Sequence, residues 1–367
     1  MYNCHRAYPE RADLEWLESN PGRLFHTDAM LEDRRLMLDN KSCASCHHGC
    51  YKYEEQGLLS SRIIDRDGLE KVTDPKNEME HLEIMLSSDC NLACVYCSPE
   101  QSTSWQREIT EGGEYRLGEH TIKNDNFSLL WSKMKQKSRS TGSKFFSLLL
   151  KEITLAKGLK KISVLGGEPL LANDLIELLQ VAHDSKIPKI ELITGLGVST
   201  SRLTSLLEKT KSKKMKFSIS AESTNKFFEF IRYGSDWTDF KNKIELIRSY
   251  MHDVGFISTI SNICLFDYHN FHKEFEANNR ISINPITAQP HLSPHVMDEL
   301  SKEKCRQHIK QIREVKQREI LYKMLDKDPS DNERKMLGSY LQQLSTRREM
   351  NLDFLPKNFL EWCGAIG

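Results

Sequence analysis

The chain has 367 residues, with 52 basic side chains against 52 acidic ones, and this neutral balance argues against general polyanion binding. No uninterrupted apolar run is long enough to span a bilayer, and residues 1–6 lack the apolar stretch of a signal peptide, so the expectation is a soluble cytoplasmic protein. In that compartment ten cysteines point to metal or redox chemistry rather than disulfides, and the length supports one large domain plus a smaller module.

In chain order, the first chemical signal is Cys43, Cys46 and Cys50, a C-x2-C-x3-C run with Cys4 further upstream. Four cysteines suffice for an iron–sulfur cluster or a zinc ion, with His47 or His48 as substitute ligands. Residues 81–86 read as a short strand running into a second group, Cys90, Cys94 and Cys97, spaced C-x3-C-x2-C. Three thiolates this close suit one cubane cluster better than a metal needing four protein ligands, and no second paired arm lies close downstream. A fourth iron then has no cysteine from this loop, and its open sites can chelate a small molecule. Zinc and unligated thiols are the competing readings. Tyr96 stands just before the third cysteine, where a flat ring can pack beside an adenine.

Residues 101–142 form an insertion that holds Glu111-Gly112-Gly113-Glu114 and a helix expected around 127–135. Phe127, Leu129, Leu130 and Trp131 need burial, which favours a lid or substrate-contacting element over a disordered linker. A helix over 143–156, with Gly158 as its stop, leads to a strand at 161–165 that ends in Gly166-Gly167-Glu168-Pro169. Two glycines allow close backbone approach, and a carboxylate just beyond can pair with an ammonium group. Alone, such a run is a turn. It gains weight by standing one strand after the cysteine loop.

Asn173 caps a helix over 174–183. Strands follow at 190–194, 215–220, 255–260 and 281–286, with a helix at 240–250 among them. Alternating strands and helices imply a parallel sheet, though periodicity does not separate a partial barrel from a doubly wound sheet. Lys209, Lys211, Lys213, Lys214 and Lys216 read as a solvated helix end before a strand rather than a nucleic-acid patch. Beyond Pro290 the chain is helical over 294–323 and 331–344, an outer bracing layer. Cys264, Cys305 and Cys363 are isolated core or surface thiols, Cys363 being the best reserve ligand.

On Cys90, Cys94, Tyr96 and Cys97, followed by Gly166, Gly167, Glu168 and Pro169, the chain resembles the radical S-adenosylmethionine (SAM) superfamily. The resemblance implies an α/β fold, a partial (β/α)6 barrel, over 73–295, with a cysteine-rich module at 1–72 and a helical region at 296–367. It implies a [4Fe–4S] cluster on Cys90, Cys94 and Cys97 whose open iron binds SAM, with Gly166 to Glu168 holding the SAM amine. Reductive cleavage of SAM then gives a 5′-deoxyadenosyl radical that abstracts hydrogen from a substrate. Further SAM contacts carry over to Ser220 and Glu222 at a strand end, to Arg232 opposite the SAM carboxylate, and to Thr194. Alternation places Ser218 and Ser220 on one face, and a guanidinium fits a carboxylate in bidentate fashion.

The run after Cys50 resembles the twitch- or SPASM-related modules of that superfamily, through Glu54, Gly57, Ser60 and Arg62. This implies an auxiliary iron–sulfur cluster on Cys4, Cys43, Cys46 and Cys50. The spacing departs from the family's C-x2-C pair, because His47 stands where the earlier cysteine would be. A peptide, sugar or nucleoside substrate and an external electron donor such as flavodoxin or ferredoxin follow, with no membrane or nucleic-acid partner. The auxiliary cluster favours oxidative chemistry. The rival expectations are a metal-binding scaffold without turnover and an RNA-modifying enzyme, the latter motivated by the lysine run.

Overall fold

The computed structural model describes residues 13–51, 54, 60, 74, 78–124, 139–211, 213–286 and 289–366. Its helices begin with α1 (Leu14–Ser19), α2 (Asp28–Leu38), α3 (Thr103–Gly112), α4 (Arg139–Leu155), α5 (Leu175–Asp184) and α6 (Thr200–Thr210). There follow α7 (Asn225–Ile231), α8 (Trp237–Ser249), α9 (Asn262–Leu265), α10 (Tyr268–Phe275), α11 (Glu299–Ile309), α12 (Val315–Leu325), α13 (Asp331–Arg348) and α14 (Lys357–Cys363). The strands are β1 (His81–Met85), β2 (Ala93–Cys94), β3 (Tyr115–Leu117), β4 (His120–Ile122) and β5 (Lys161–Leu165). They continue with β6 (Lys189–Thr194), β7 (Lys216–Ser220), β8 (Arg232–Tyr233), β9 (Asp253–Ile260) and β10 (Arg280–Pro285).

These residues divide into two compact units, one from Met1–Glu83, Met134–Ser163 and Glu177–Lys189, the other from Ile84–Lys133, Val164–Ile176 and Ile190–Gly367. In the first unit, Asp13 caps α1 by accepting from Glu15 and Trp16 N–H, and Thr27 caps α2. The buried Glu152 of α4 accepts from the N–H groups of Gly22 (2.6 Å) and Leu24 (3.0 Å), which ties the turn between α1 and α2 to α4. Cys46 and Cys50 lie in short helical turns over Ala44–Cys46 and His47–Tyr51, and Cys43 stands extended just before the first.

Six strands form one sheet in the order β1-β5-β6-β7-β9-β10, that is, in chain order. The register is parallel, with Leu192 opposite Phe217, Phe217 opposite Val254, and Phe256 opposite Ile281. Helices stand between successive strands, as parallel connections require. This is the partial (β/α)6 arrangement. The core lies between the strands and their helices. Phe256 of β9 meets Phe275 of α10 at 4.5 Å between ring centroids, and Phe228 of α7 meets Phe240 of α8 at 4.4 Å.

The six strands fall within two residues of their expected spans. α8 starts earlier than expected because Asp236 accepts from Asp239 N–H at 2.7 Å and caps it. The expected helix over 294–323 is two helices. The chain tightens after Ile309, where Ile312 N–H turns back to the Ile309 carbonyl and buries both isoleucines. No Gly or Pro marks that break. The lysine run is a helix end before a strand, as expected, and within it Lys211 pairs with Glu208, Lys214 with Asp253 and Lys216 with Glu191. The helix expected around 127–135 lies outside the described residues. Among the described residues, no helix is long and apolar enough to cross a membrane.

α13 opens with a capping box, Ser330 and Glu333 each bonding the other's backbone N–H. In its middle, a Cβ on Gly338 would lie 2.0 Å from the Cys363 carbonyl oxygen of α14. Helix propensity favours alanine over glycine by about 0.5–1 kcal/mol, but overpacking costs about 1–3 kcal/mol. Packing should win: Gly338→Ala is expected to lower the unfolding midpoint in denaturant titration, and an equal or higher midpoint would show that α14 yields freely.

Candidate cofactor site

The loop that carries Cys90, Cys94 and Cys97 leaves β1 and is met at once by the end of β5. Gly167 N–H donates to the Ser87 carbonyl (2.9 Å) and Glu168 N–H to the Asp89 carbonyl (2.7 Å). Gly166 has φ +141°, and a Cβ there would lie 2.5 Å from the Ser87 oxygen; one on Gly167 would lie 2.5 Å from the Asp89 oxygen. The close backbone approach expected of these glycines is therefore made to the chain's own cysteine loop.

The loop's carbonyls are then taken up one after another. Thr103 (3.1 Å) and Ser104 (2.9 Å) hydroxyls donate to the Cys90 carbonyl, and Ser102 hydroxyl to that of Leu92 (2.7 Å). Trp105 Nε1–H donates to the Cys94 carbonyl (2.8 Å), Tyr340 hydroxyl to Val95 (2.5 Å) and Gln289 Nε2 to Cys97 (3.1 Å). Ser102 also caps α3 by accepting from Trp105 N–H. Opposite these side chains, β2 pairs antiparallel with β8, Cys94 facing Arg232. The described start of the 101–142 insertion is thus a brace for the cysteine loop. Its β3–β4 hairpin docks on α13, where the Arg347 guanidinium lies 3.8 Å above the Tyr115 ring and Arg348 pairs with Glu108 at 3.1 Å.

Two polar networks flank the loop. In the first, the Arg232 guanidinium donates to both oxygens of Glu222 (3.1 and 2.7 Å), and Tyr96 hydroxyl donates to Glu222 at 3.1 Å. Arg232 Nη2 also reaches Tyr96, and Nη1 faces Cys94 Sγ at 4.0 Å. Glu222 is fully buried and Arg232 nearly so. In the second, the Glu168 carboxylate accepts from Leu170 N–H (3.1 Å), Thr194 hydroxyl (2.6 Å), Gly195 N–H (3.1 Å) and Gly197 N–H (3.0 Å). Pro169 begins the short turn that Glu168 caps. The networks abut at Gly195, whose missing Cβ would lie 3.6 Å from Arg232 Nη1 and 3.8 Å from Glu168 Oε2. Ser218 hydroxyl bonds Glu191, whereas Ser220, half-buried at the end of β7, keeps a less enclosed position.

Burial pushes the Cys90 thiol up to about 12, with Cys94 and Glu168 adding to the rise. Burial raises Cys97 too, and it raises Cys94 against the opposing pull of Arg232. Binding iron must therefore displace protons from these thiols. Among the described residues, no three His, Cys, Asp or Glu side chains converge as they would on a single ion, whereas a cubane takes its cysteines on separate irons. The donor set fits a [4Fe–4S] cluster: three thiols on one braced loop, with a guanidinium beside the middle one. Held by Cys90, Cys94 and Cys97, such a cluster would supply one-electron reductive cleavage of SAM.

The N-terminal cysteines belong to the first unit. Cys43, Cys46 and Cys50 are buried, and burial together with Cys43 and Cys50 pushes the Cys46 thiol up to about 12. Tyr51 hydroxyl lies 4.0 Å from Cys43 Sγ and accepts from Cys43 N–H at 3.1 Å. His47 is exposed, its Nε2 3.4 Å from Ser42 hydroxyl. Ser60 hydroxyl donates to Glu54 at 2.5 Å. Cys4, Gly57, Arg62 and the side chain of His48 lie outside the described residues. Cys264, Cys305 and Cys363 are buried core thiols of the second unit.

The family model of the radical SAM superfamily matches residues 84–281. This chain belongs to the radical SAM superfamily. Among curated proteins, this radical SAM chain is similar to GTP 3′,8-cyclase of Pelotomaculum thermopropionicum, 26% identical over 162 residues, which cover 44% of this chain and 40% of that one. It is likewise 26% identical over 114 residues to GTP 3′,8-cyclase of a Sulfurovum species, covering 31% of this chain and 26% of the other. The matches therefore span less than half the length of either relative. Among solved structures, anSMEcpe with bound AdoMet aligns at a TM-score of 0.39 and 14% identity, over 73% of this chain and 59% of that one. Streptococcus suis SuiB bound to precursor peptide SuiA aligns at 0.35 and 14%, over 83% and 60%. Likeness at this level says nothing of substrate.

Trp105, Tyr340 and Gln289 carry no motif of their own, and sequence reading passed them by. Ser102-Thr103-Ser104 is a helix-start signal that could have been found. The brace predicts that Tyr340→Phe, which keeps the ring and removes one donor to a buried carbonyl, costs about 1–3 kcal/mol. The variant should also lose iron faster than wild type to a chelator under anaerobic conditions; equal rates would remove Tyr340 from the brace.

Proposed function

We propose that this radical SAM protein is an enzyme in which Cys90, Cys94 and Cys97 hold the [4Fe–4S] cluster, and that the 5′-deoxyadenosyl radical takes hydrogen from a peptide, sugar or nucleoside substrate. The observation that carries the reading is the family match over residues 84–281 together with three cysteines on one loop whose carbonyls are held from outside it. Tyr96, Glu222 and Arg232 line the side of Cys94, and Gly166, Gly167, Thr194 and Ser220 lie at neighbouring strand ends, which supports this edge as the SAM site. The enzyme acts in the cytoplasm, with flavodoxin or ferredoxin as electron donor.

An auxiliary iron–sulfur cluster at Cys4, Cys43, Cys46 and Cys50 makes the net reaction oxidative, since it can accept an electron from a substrate radical. The N-terminal twitch- or SPASM-like module, residues 1–72, is part of this proposal. Its support is the burial of three cysteines within eight residues, Cys43 to Cys50, and the Ser60–Glu54 contact within the matching motif. The relatives' name, GTP 3′,8-cyclase, supports a nucleotide as the first candidate to try.

After anaerobic reconstitution, the wild type should hold about eight irons for two [4Fe–4S] clusters, and the Cys90/Cys94/Cys97→Ala variant about four. That variant should form no 5′-deoxyadenosine from SAM under reducing conditions; formation at the wild-type rate would sink the assignment. About four irons falling to near zero would leave one radical cluster and turn the reading to redox-neutral chemistry. Added GTP should raise 5′-deoxyadenosine above the uncoupled rate if a nucleotide is the substrate, and no rise removes GTP.

A further inference from the structure

We infer that Glu168 is a positioning residue whose carboxylate clamps the loop after β6 against the cysteine loop, and that it is not the ligand for the ammonium group of SAM. A carboxylate has about four lone-pair directions. Those of Glu168 receive Leu170 N–H and Thr194 hydroxyl on Oε1, and Gly195 and Gly197 N–H on Oε2, all within 3.1 Å. The residue is 1% exposed. An arriving ammonium would have to displace a backbone N–H from its buried acceptor.

The same residue grips the cysteine loop with its backbone, through Glu168 N–H to the Asp89 carbonyl at 2.7 Å. The segment it holds, Gly195 to Gly197, presses on that loop between its first two cysteines. A Cβ on Gly197 would lie 2.9 Å from Leu92 Cγ, and one on Gly195 would lie 3.1 Å from Leu92 Cδ1. Asn91 Nδ2 donates to the Gly197 carbonyl at 3.0 Å. Glu168 thus joins three strand ends, those of β1, β5 and β6, and sets where Asn91 and Leu92 stand relative to Cys90 and Cys94. Burial pushes its pKa up against the pull of its donors.

Glu168→Gln separates the two roles. Both oxygens accept from backbone N–H, so either orientation of the amide sets its NH2 against a donor, while volume is unchanged. The full-length protein is compared before reconstitution and after it. A clamp predicts a lower melting midpoint in the protein without cluster or SAM and an altered EPR line shape of the reduced cluster in the absence of SAM. It also predicts SAM affinity within about threefold of wild type on protein with full iron content. An unchanged SAM-free midpoint overturns the clamp. So does a loss of SAM affinity of about tenfold or more at full iron, whatever the midpoint. Thr194→Val, which removes one donor and no charge, should move midpoint and line shape in the same direction by less. If Glu168→Gln fails to fold, Thr194→Val decides, and wild-type values for both readouts overturn the inference. The affinity and EPR arms rest on the proposed cluster and SAM site. Wild type that takes up no iron would defeat that reading while leaving the melting arm to stand.

Discussion

A carbonyl in a loop has no strand or helix partner, so once buried it must find a donor elsewhere. The cysteine loop depends on that constraint. Each net hydrogen bond is worth only about 0.5–1.5 kcal/mol, but a buried carbonyl left bare costs about 1–3 kcal/mol. The loop cannot settle in water-like alternatives without vacating several such bonds together. Its donors come from α3, from the segment after β10 and from α13. The cysteines are thereby held by pieces of chain that share no sequence neighbourhood with them, and the helices at the C-terminus are part of the cysteine loop's support as well as an outer layer.

Electrostatics follows from the same burial. Arg232 and Glu222 are taken out of water together, and a pair in that position is costly to break from one side, about 3–5 kcal/mol, because the survivor is an uncompensated charge. Two donor groups of Arg232 are spent on Glu222, and the third faces the sulfur of Cys94. The carboxylate-binding role that the resemblance gives to Arg232 would therefore have to be shared with a partner already in place. Charge beside a cluster sulfur is one of the levers that set reduction potential.

The sheet was legible because its strands are short runs of Ile, Val, Leu and Phe bounded by turn residues, and the cysteine spacing stood out because three thiols in eight residues have few other uses. Side chains acting at a distance were not legible. Trp105 and Tyr340 sit at ordinary core positions of their helices, and nothing local says that an indole N–H or a phenol hydroxyl ends on a loop carbonyl. Glu168 shows the limit from the other side. Its motif was visible, and an exposed carboxylate would suit an ammonium, but only the positions of Thr194, Gly195 and Gly197 reveal that its acceptors are taken. The break between α11 and α12 escaped because buried Ile309 and Ile312 cause it, not a breaker residue.

The hydrogen bond from Tyr340 to the Val95 carbonyl joins residues 245 apart in the chain. A ribosome adding about 5–20 residues per second makes the cysteine loop tens of seconds before the residue that finishes its support has emerged. During that interval the Val95 carbonyl lacks the donor it has in the folded protein. The finished geometry of the cysteine loop thus exists only once α13 has joined the fold, long after the cysteines themselves were made.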